Sequence, residues 1–196
     1  MTHSSEAPVA SETLALLSTR RSSRVLDLVA PGPSAAELDT LLTIAARVPD
    51  HGKLAPWRFI VFEGEGRVRA GEKLAAVMAK IDPGASEKRI EDERTRFLRA
   101  PLVVAVVSRA APHVKIPEYE QLLSAAACCQ NILVAAAALG YGATWLTEWM
   151  TCDAAARAAL GLADFERFAG LIYIGTATQK LEDRPRPVLA DVVTRF

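Results

Sequence analysis

At 196 residues the chain is long enough for one domain with a sizeable core, or for one subunit of an oligomer. Its 23 Lys and Arg balance its 23 Asp and Glu, so no net field draws it to nucleic acid or to anionic lipid. Three cysteines, with Cys128 and Cys129 adjacent, make no disulfide framework and point to reduced thiols in the cytoplasm.

Residues 1–10 have no basic start and no apolar run, so they read as a loose tail rather than a signal peptide. Ser11 to Thr19 reads as a short helix with Leu14, Leu16 and Leu17 as its apolar positions. It leads into Arg20-Arg21-Ser22-Ser23-Arg24, whose planar forks and short hydroxyls suit a phosphate. The same residues also suit the negative end of a helix in water, and the stretch alone leaves both readings open. Ser34-Ala35-Ala36-Glu37 is a capping box that opens a second helix through Ala46. Leu38, Leu41, Leu42 and Ala45 form its apolar stripe.

The next segment, Arg47 to Trp57, is a loop bounded by prolines that carries Asp50, His51 and Lys53 ahead of an aromatic. Loops of this mix between a helix and a strand often hold ligands, although a lone loop histidine is more often simply solvated. His3 and His113 stand in unrelated contexts, so no metal site is expected. Trp57 to Phe62 reads as a strand closed by the turn Glu63-Gly64-Glu65-Gly66, which lacks the setting of a dinucleotide cradle. Arg67 to Lys80 and Glu87 to Arg99 read as two charged helices whose mixed charges form a solvated face. Pro101 to Val107 is a continuous apolar, β-branched run of the kind buried on both sides of a sheet.

Tyr119 to Leu139 is the longest element, almost entirely apolar or small, and it meets Gly140 as its stop. It would run about 30 Å. Glu120, Gln121, Ser124, Gln130 and Asn131 argue against a membrane span. Glu120, Ser124, Ala127, Asn131, Ala135 and Ala138 share one polar or small face, which lets another backbone or a flat ligand come close. Tyr141 to Thr147 follows as a β-prone run. Asp153 can cap a short helix through Leu160, and Phe168 to Gly175 is another apolar strand. Residues 176–196 carry Lys180, Arg184 and Arg186 among prolines and end in an apolar run, Val188 to Val193. They cannot form a core of their own and must pack on something, such as a second subunit. No repeat, low-complexity block or linker divides the chain, so a single domain over 1–196 is expected, with helices on both faces of one central sheet.

Taken together, Arg-Arg-Ser-x-Arg, then Pro-Asp-His-x-x-x-x-Pro-Trp before a strand, then Gly-Tyr-Gly-x-x-Trp after an Ala-rich helix resemble the nitroreductase family of flavoproteins, in its short bacterial branch. The resemblance covers roughly residues 12–196 and tips the arginine cluster toward phosphate. It implies an α+β fold, a three-layer α/β/α arrangement with a central mixed sheet. It also implies an intertwined homodimer, with FMN at the interface and residues 176–196 as an arm on the partner subunit. Carried over, Arg20, Arg21 and Ser22 would bind the FMN phosphate and ribityl chain, and Arg24 would face the N1/O2 edge of the ring. Asp50, His51 and Lys53 would meet the cofactor from the partner subunit. Thr144, Trp145 and Leu146 would present main-chain donors near N5, with Lys180 and Arg186 as further phosphate ligands. The pattern departs from many relatives at Lys53, Ala55 and Leu146.

The implied activity is ping-pong hydride transfer from NADH or NADPH, through FMN, to a small-molecule oxidant: a nitroaromatic, a quinone or an enone. No side chain is assigned as catalytic, because the flavin carries the chemistry. The alternatives are a specialised member, such as a reductive dehalogenase or flavin-fragmenting enzyme, and a non-catalytic FMN-binding or redox-sensing protein.

Overall fold

The computed structural model describes residues 11–196, so the expected tail over 1–10 lies outside the described residues. In chain order the helices are α1 (Ser11–Thr19), α2 (Ala35–Ala45), α3 (Glu65–Ile81), α4 (Glu87–Arg94), α5 (Glu118–Ala138), α6 (Trp149–Cys152), α7 (Ala154–Ala159) and α8 (Leu189–Val192). The strands are β1 (Leu28–Val29), β2 (Trp57–Glu63), β3 (Leu102–Ser108), β4 (Gly142–Leu146) and β5 (Arg167–Ala177).

β5 is the central strand: it pairs with β3 and β4 and, at its end, with β1, while β2 pairs with the far edge of β3. Every described pairing is antiparallel, where a mixed sheet was expected. The mixed sheet was implied by the resemblance, and strands apolar on both faces, a pattern commonest in parallel sheets, did not argue against it. Here the burial comes instead from helices carried in the long connections between antiparallel strands. Leu102, Val104 and Val106 of β3 pack with α2 and α5, and Val103, Ala105 and Val107 pack with α3, α6 and α7. Alternation along one strand therefore fills two cores, and the three-layer arrangement stands.

Local signals explain most boundaries. The Ser34 capping box forms as expected, with the Ser34 hydroxyl donating to Glu37 Oε2 at 2.7 Å. Asp153 caps α7 by accepting from the Ala156 amide at 2.8 Å. Two segments differ from expectation. The turn expected over Glu63–Gly66 is one residue of turn, because α3 already begins at Glu65. The helix expected from Glu87 to Arg99 ends at Arg94 and continues as a 3₁₀ turn, Arg96–Arg99.

That break reveals a second core beneath the supposed solvated face. Glu93 is fully buried, and its carboxylate accepts from Arg96 (2.5 Å), Arg89 (3.0 Å) and the Trp149 indole (2.8 Å). Arg96 and Arg99 both reach Glu148, each at 2.5 Å, and Arg99 lies over the ring of buried Tyr173. Burial pushes the Tyr173 hydroxyl up to about 12. A buried carboxylate is retained only when its lone pairs are satisfied, and the 3₁₀ turn turns Arg96 back to do so.

α3 and α4 touch so closely that Gly71 has no room for a side chain: a Cβ there would stand 1.8 Å from the Arg94 carbonyl oxygen. Backbone cannot yield as a flexible side chain does. Gly71→Ala should therefore cost about 1–3 kcal/mol, a drop of several degrees in melting temperature. A thermal melt equal to the parent's would show that α3 and α4 are not in this contact.

Candidate flavin-phosphate cleft

The two ends of α5 organise two separate groups of residues. At its C-terminal end the chain turns through Gly140, Tyr141 and Gly142 into β4. The Tyr141 hydroxyl donates to Glu37 Oε2 at 3.0 Å, which ties this turn to the start of α2. Gly142 is needed for close approach, because a Cβ would stand 2.6 Å from Ser23 Oγ and 2.8 Å from Ala177 Cβ. The Ser23 amide donates to the Ala143 carbonyl at 3.0 Å, laying the arginine cluster along the outer edge of β4.

The result is a cleft of ≈ 430 Å³ whose walls include Arg21, Ser22, Tyr141, Gly142, Gln179 and Lys180. Three of the expected ligands, Arg21, Ser22 and Lys180, therefore meet in one place. Arg20 is half-buried at the end of α1 and outside the lining, while Arg24 is exposed at the start of the Val25–Asp27 3₁₀ turn. The Arg21 Nε donates to the Glu182 carbonyl at 2.9 Å, folding the beginning of the C-terminal segment over the cluster. Arg186 is exposed and pairs with Asp183 at 2.8 Å, which holds the Asp183 carboxyl below its ordinary range.

Thr144, Trp145 and Leu146 lie on β4, as expected. The Thr144 side chain is buried and the Trp145 indole donates to the Ala169 carbonyl at 3.2 Å, so neither side chain is free for a ligand. Their main chain is another matter. The Ala143 carbonyl faces Ser23 rather than β5, and alternate residues of an antiparallel strand face the same edge, which turns the Trp145 amide outward.

The other group sits at the N-terminal end of α5. Further along the helix, Asn131 Nδ2 donates to the carbonyls of Ile44 (3.1 Å), which also accepts from the Arg47 amide, and of Arg47 (3.0 Å), bridging α5 to the end of α2. Ser124 Oγ donates to the Pro49 carbonyl at 2.5 Å, and His51 Nδ1 lies 2.8 Å from Glu120 Oε2. The small, polar face of α5 thus receives a backbone, that of its own chain. Asp50 spends both carboxylate oxygens on the loop, accepting from the Leu54 amide (3.1 Å) and the Ala55 amide (2.9 Å). These bonds hold Lys53 (φ 55°) and Ala55 (φ 45°) in the left-handed region, which side-chain-bearing residues rarely adopt. Lys53 is exposed. Within one chain, Asp50, His51 and Lys53 do not line the Arg21 cleft; His51 instead borders a hollow of ≈ 280 Å³ with Glu120, Leu123 and Ala127.

Sequence reasoning did not single out Tyr141, Gln179 or Ser23 as walls of the cleft. The paired glycines around Tyr141 were the available signal, since a glycine pair often marks a place where backbone must come close.

Beyond β2, Glu166 is buried and its carboxylate accepts from Arg58 Nε (2.7 Å), Arg58 Nη2 (2.6 Å) and the Ala163 amide (2.9 Å). The Arg58 pair holds the Glu166 carboxyl below its ordinary 4.5. A depressed carboxylate contributes stability that is present above pH 4.5 and lost as pH falls through the lower folded value. Glu166→Gln should cost about 2 kcal/mol at neutral pH, less than a fully buried pair, because Arg58 keeps 33% of its side chain in water. Urea titrations below pH 4.5 should show a shallower loss for the variant than for the parent. Parallel pH profiles would show that the pair does not form.

An antiparallel sheet enclosed by helices, with Arg21 and Lys180 gathered against a glycine turn at its edge, defines an α+β class with a cationic cleft. The chain matches the sequence profile of the nitroreductase family over residues 17–176 and belongs to that family. Two bacterial relatives bear the name "Putative NAD(P)H nitroreductase". YdjA of Escherichia coli K12 is 34% identical over 171 residues, covering 86% of this chain and 90% of its own. The Haemophilus influenzae protein is 36% identical over 178 residues, covering 90% and 95%. Among solved structures, a nitroreductase-like family protein from Bacillus cereus superposes with a TM-score of 0.81 at 21% identity over 97% of this chain and 98% of its own. A nitroreductase with bound FMN from Bacteroides fragilis gives 0.68 at 20% identity, over 94% and 98%.

Proposed function

We propose that the protein is a cytoplasmic FMN-dependent NAD(P)H oxidoreductase that reduces nitroaromatics, quinones or enones by a ping-pong mechanism. The observation that carries this reading is the cleft where Arg21, Ser22 and Lys180 meet the Gly140–Gly142 turn. Two cations and a hydroxyl beside a close backbone turn are the donor set a phosphate monoester needs. When bound, FMN supplies the hydride acceptor and donor at N5.

The chain's own residues then have distinct tasks. Arg21 and Lys180 neutralise the phosphate, and Ser22 donates to it. Arg24, exposed beside the cluster, would supply positive charge to the bound flavin, which gains negative charge on reduction. The outward Trp145 amide supplies a main-chain donor on the β4 edge. Arg20 anchors the end of α1 through its amide, which donates to the Leu16 carbonyl at 2.8 Å.

The same reading includes a homodimer. Tyr119 (63% exposed), Leu123 (61%) and Leu122 (45%) stand along the outer face of α5, and Val188, Leu189 and Val192 of the C-terminal segment are exposed as well. Apolar side chains in such number call for cover. A partner chain over the outer face of α5 would bring its Asp50–Lys53 loop to this cleft. Asp50 would act there by holding the loop's shape, and Lys53, whose side chain is free, would make the contact.

Purified protein should be yellow, bleach with NADH and recover colour with nitrofurazone; yellow protein that NADH leaves unbleached would mean a flavin carrier. Arg21→Ala combined with Lys180→Ala should give folded, colourless protein, with FMN affinity down by at least about a hundredfold from the loss of charge-assisted hydrogen bonds. Unchanged colour and affinity would remove the phosphate from this cleft. Light scattering of the full-length chain should report a dimer, and deletion of residues 185–196 should release monomer and flavin together. A monomer that keeps its flavin would falsify the shared site.

A further inference from the structure

A second cleft, of ≈ 310 Å³, lies between the loop before β2 and the loop from β3 to α5, and shares no lining residue with the Arg21 cleft. Leu54, Ala55 and buried Pro56 form its floor, and Phe165, 52% exposed, forms an apolar wall. Arg109, His113 and Gln121 supply its polar side chains.

Arg109 is held in place by its amide, which donates to the Pro56 carbonyl at 2.9 Å, while its guanidinium makes no side-chain hydrogen bond among the described residues. Glu166 lies 3.8 Å from Arg109 Nε, beyond hydrogen-bond distance, and its carboxylate is already matched by the two bonds from Arg58. Arg109 and Arg58 therefore share one carboxylate, which leaves one positive charge in excess, and the Arg109 fork is free of hydrogen bonds among the described residues. The His113 Nδ1 accepts from the amides of Lys115 (3.2 Å) and Ile116 (3.1 Å), which puts the ring proton on Nε2 as a donor.

The loop bearing these groups is fixed. Gln121, 5% exposed, accepts from the Ala111 amide (3.1 Å) and donates to the carbonyls of Ala111 (2.8 Å) and Ile116 (3.2 Å). On the facing side Ala55 holds its left-handed backbone, a cost that recurs at ligand clamps. Both walls are thus organised before any ligand arrives.

We propose that this cleft binds a small aromatic carboxylate. The Arg109 fork takes the carboxylate in two parallel hydrogen bonds, His113 Nε2–H adds a third, and the ring lies against Phe165 and the Leu54–Pro56 floor. One guanidinium and one imidazole donor above an apolar floor match a flat monoanion better than a phosphate, which needs more charge and no ring contact. The proposal is separable from the FMN reading, since no residue lines both clefts and Arg109, His113 and Phe165 belong neither to the Arg21 cleft nor to the Asp50–Lys53 loop.

Calorimetric titration of the purified full-length protein tests it, with benzoate as the probe, benzamide as the uncharged isostere and inorganic phosphate as the anion without a ring. Benzoate should bind, benzamide should bind at least about tenfold more weakly, and phosphate should give no heat from this cleft. Arg109→Gln should weaken benzoate by about ten- to a hundredfold with the melting temperature and flavin colour unchanged. Phe165→Ala, a change at the surface, should weaken benzoate and benzamide alike. Equal affinity for benzoate and benzamide, or unaltered benzoate binding in Arg109→Gln, would overturn the proposal. So would a shift of the flavin visible band that follows the benzoate isotherm, because it would place the acid over the flavin ring. If the protein carries no flavin at all, the FMN reading fails while the benzoate result still decides this one.

Discussion

The packing of α5 across the sheet is the constraint on which the rest depends. One face of this helix is closed by Cys128, Cys129, Ile132 and Ala136 against β3 and β5. Burial pushes the two thiols up to about 12, so they behave as small apolar groups in the core. α5 is long and apolar enough to cross a membrane, yet half of its apolar window is buried within the chain. An adjoining stripe, Glu120, Ser124 and Asn131, receives the backbone between Ile44 and His51. Larger side chains on that stripe would push the loop away and take the Asn131 donor from the Arg47 carbonyl. The helix then stops at the glycine turn, and that turn floors the Arg21 cleft. One helix therefore sets the position of both groups proposed to meet the flavin.

Much of this was legible in the residues. The capping box at Ser34, the Ala-rich helix ended by Gly140 and the apolar run of β3 each announce themselves through a local rule that packing does not overturn. The small, polar stripe on α5 also read correctly as a place of close approach. What occupies it was open, because nothing in a periodicity says whether the visitor is backbone or ligand. The sheet's strand directions were not legible, since apolar strands read alike whether helices cover a parallel or an antiparallel sheet.

The charged segment from Glu87 to Arg99 misled for a physical reason. Its composition is that of a solvated helix, and i,i+3 pairs such as Glu93–Arg96 are ordinary on exposed surfaces. Glu93 is matched inside by Trp149, and its partner Arg96 is held in turn by Glu148, both more than fifty positions away. Only Phe97, an aromatic among charges and fully buried, hinted at an inward face. Asp50 shows the converse. Its place in a ligand-like loop motif suggested contact with a cofactor, whereas its oxygens hold Leu54 and Ala55 and so fix the loop's backbone. A carboxylate that shapes a strained loop and one that touches a ligand look the same in a sequence.

The central claim is that the phosphate of FMN lies between Arg21, Ser22 and Lys180 at the Gly140–Gly142 turn. A crystal structure of the protein grown with FMN addresses it directly. The account predicts phosphate oxygens within about 3 Å of the Arg21 guanidinium, the Ser22 hydroxyl and the Lys180 ammonium. Flavin bound with its phosphate elsewhere, and this cleft filled only by water, would contradict it.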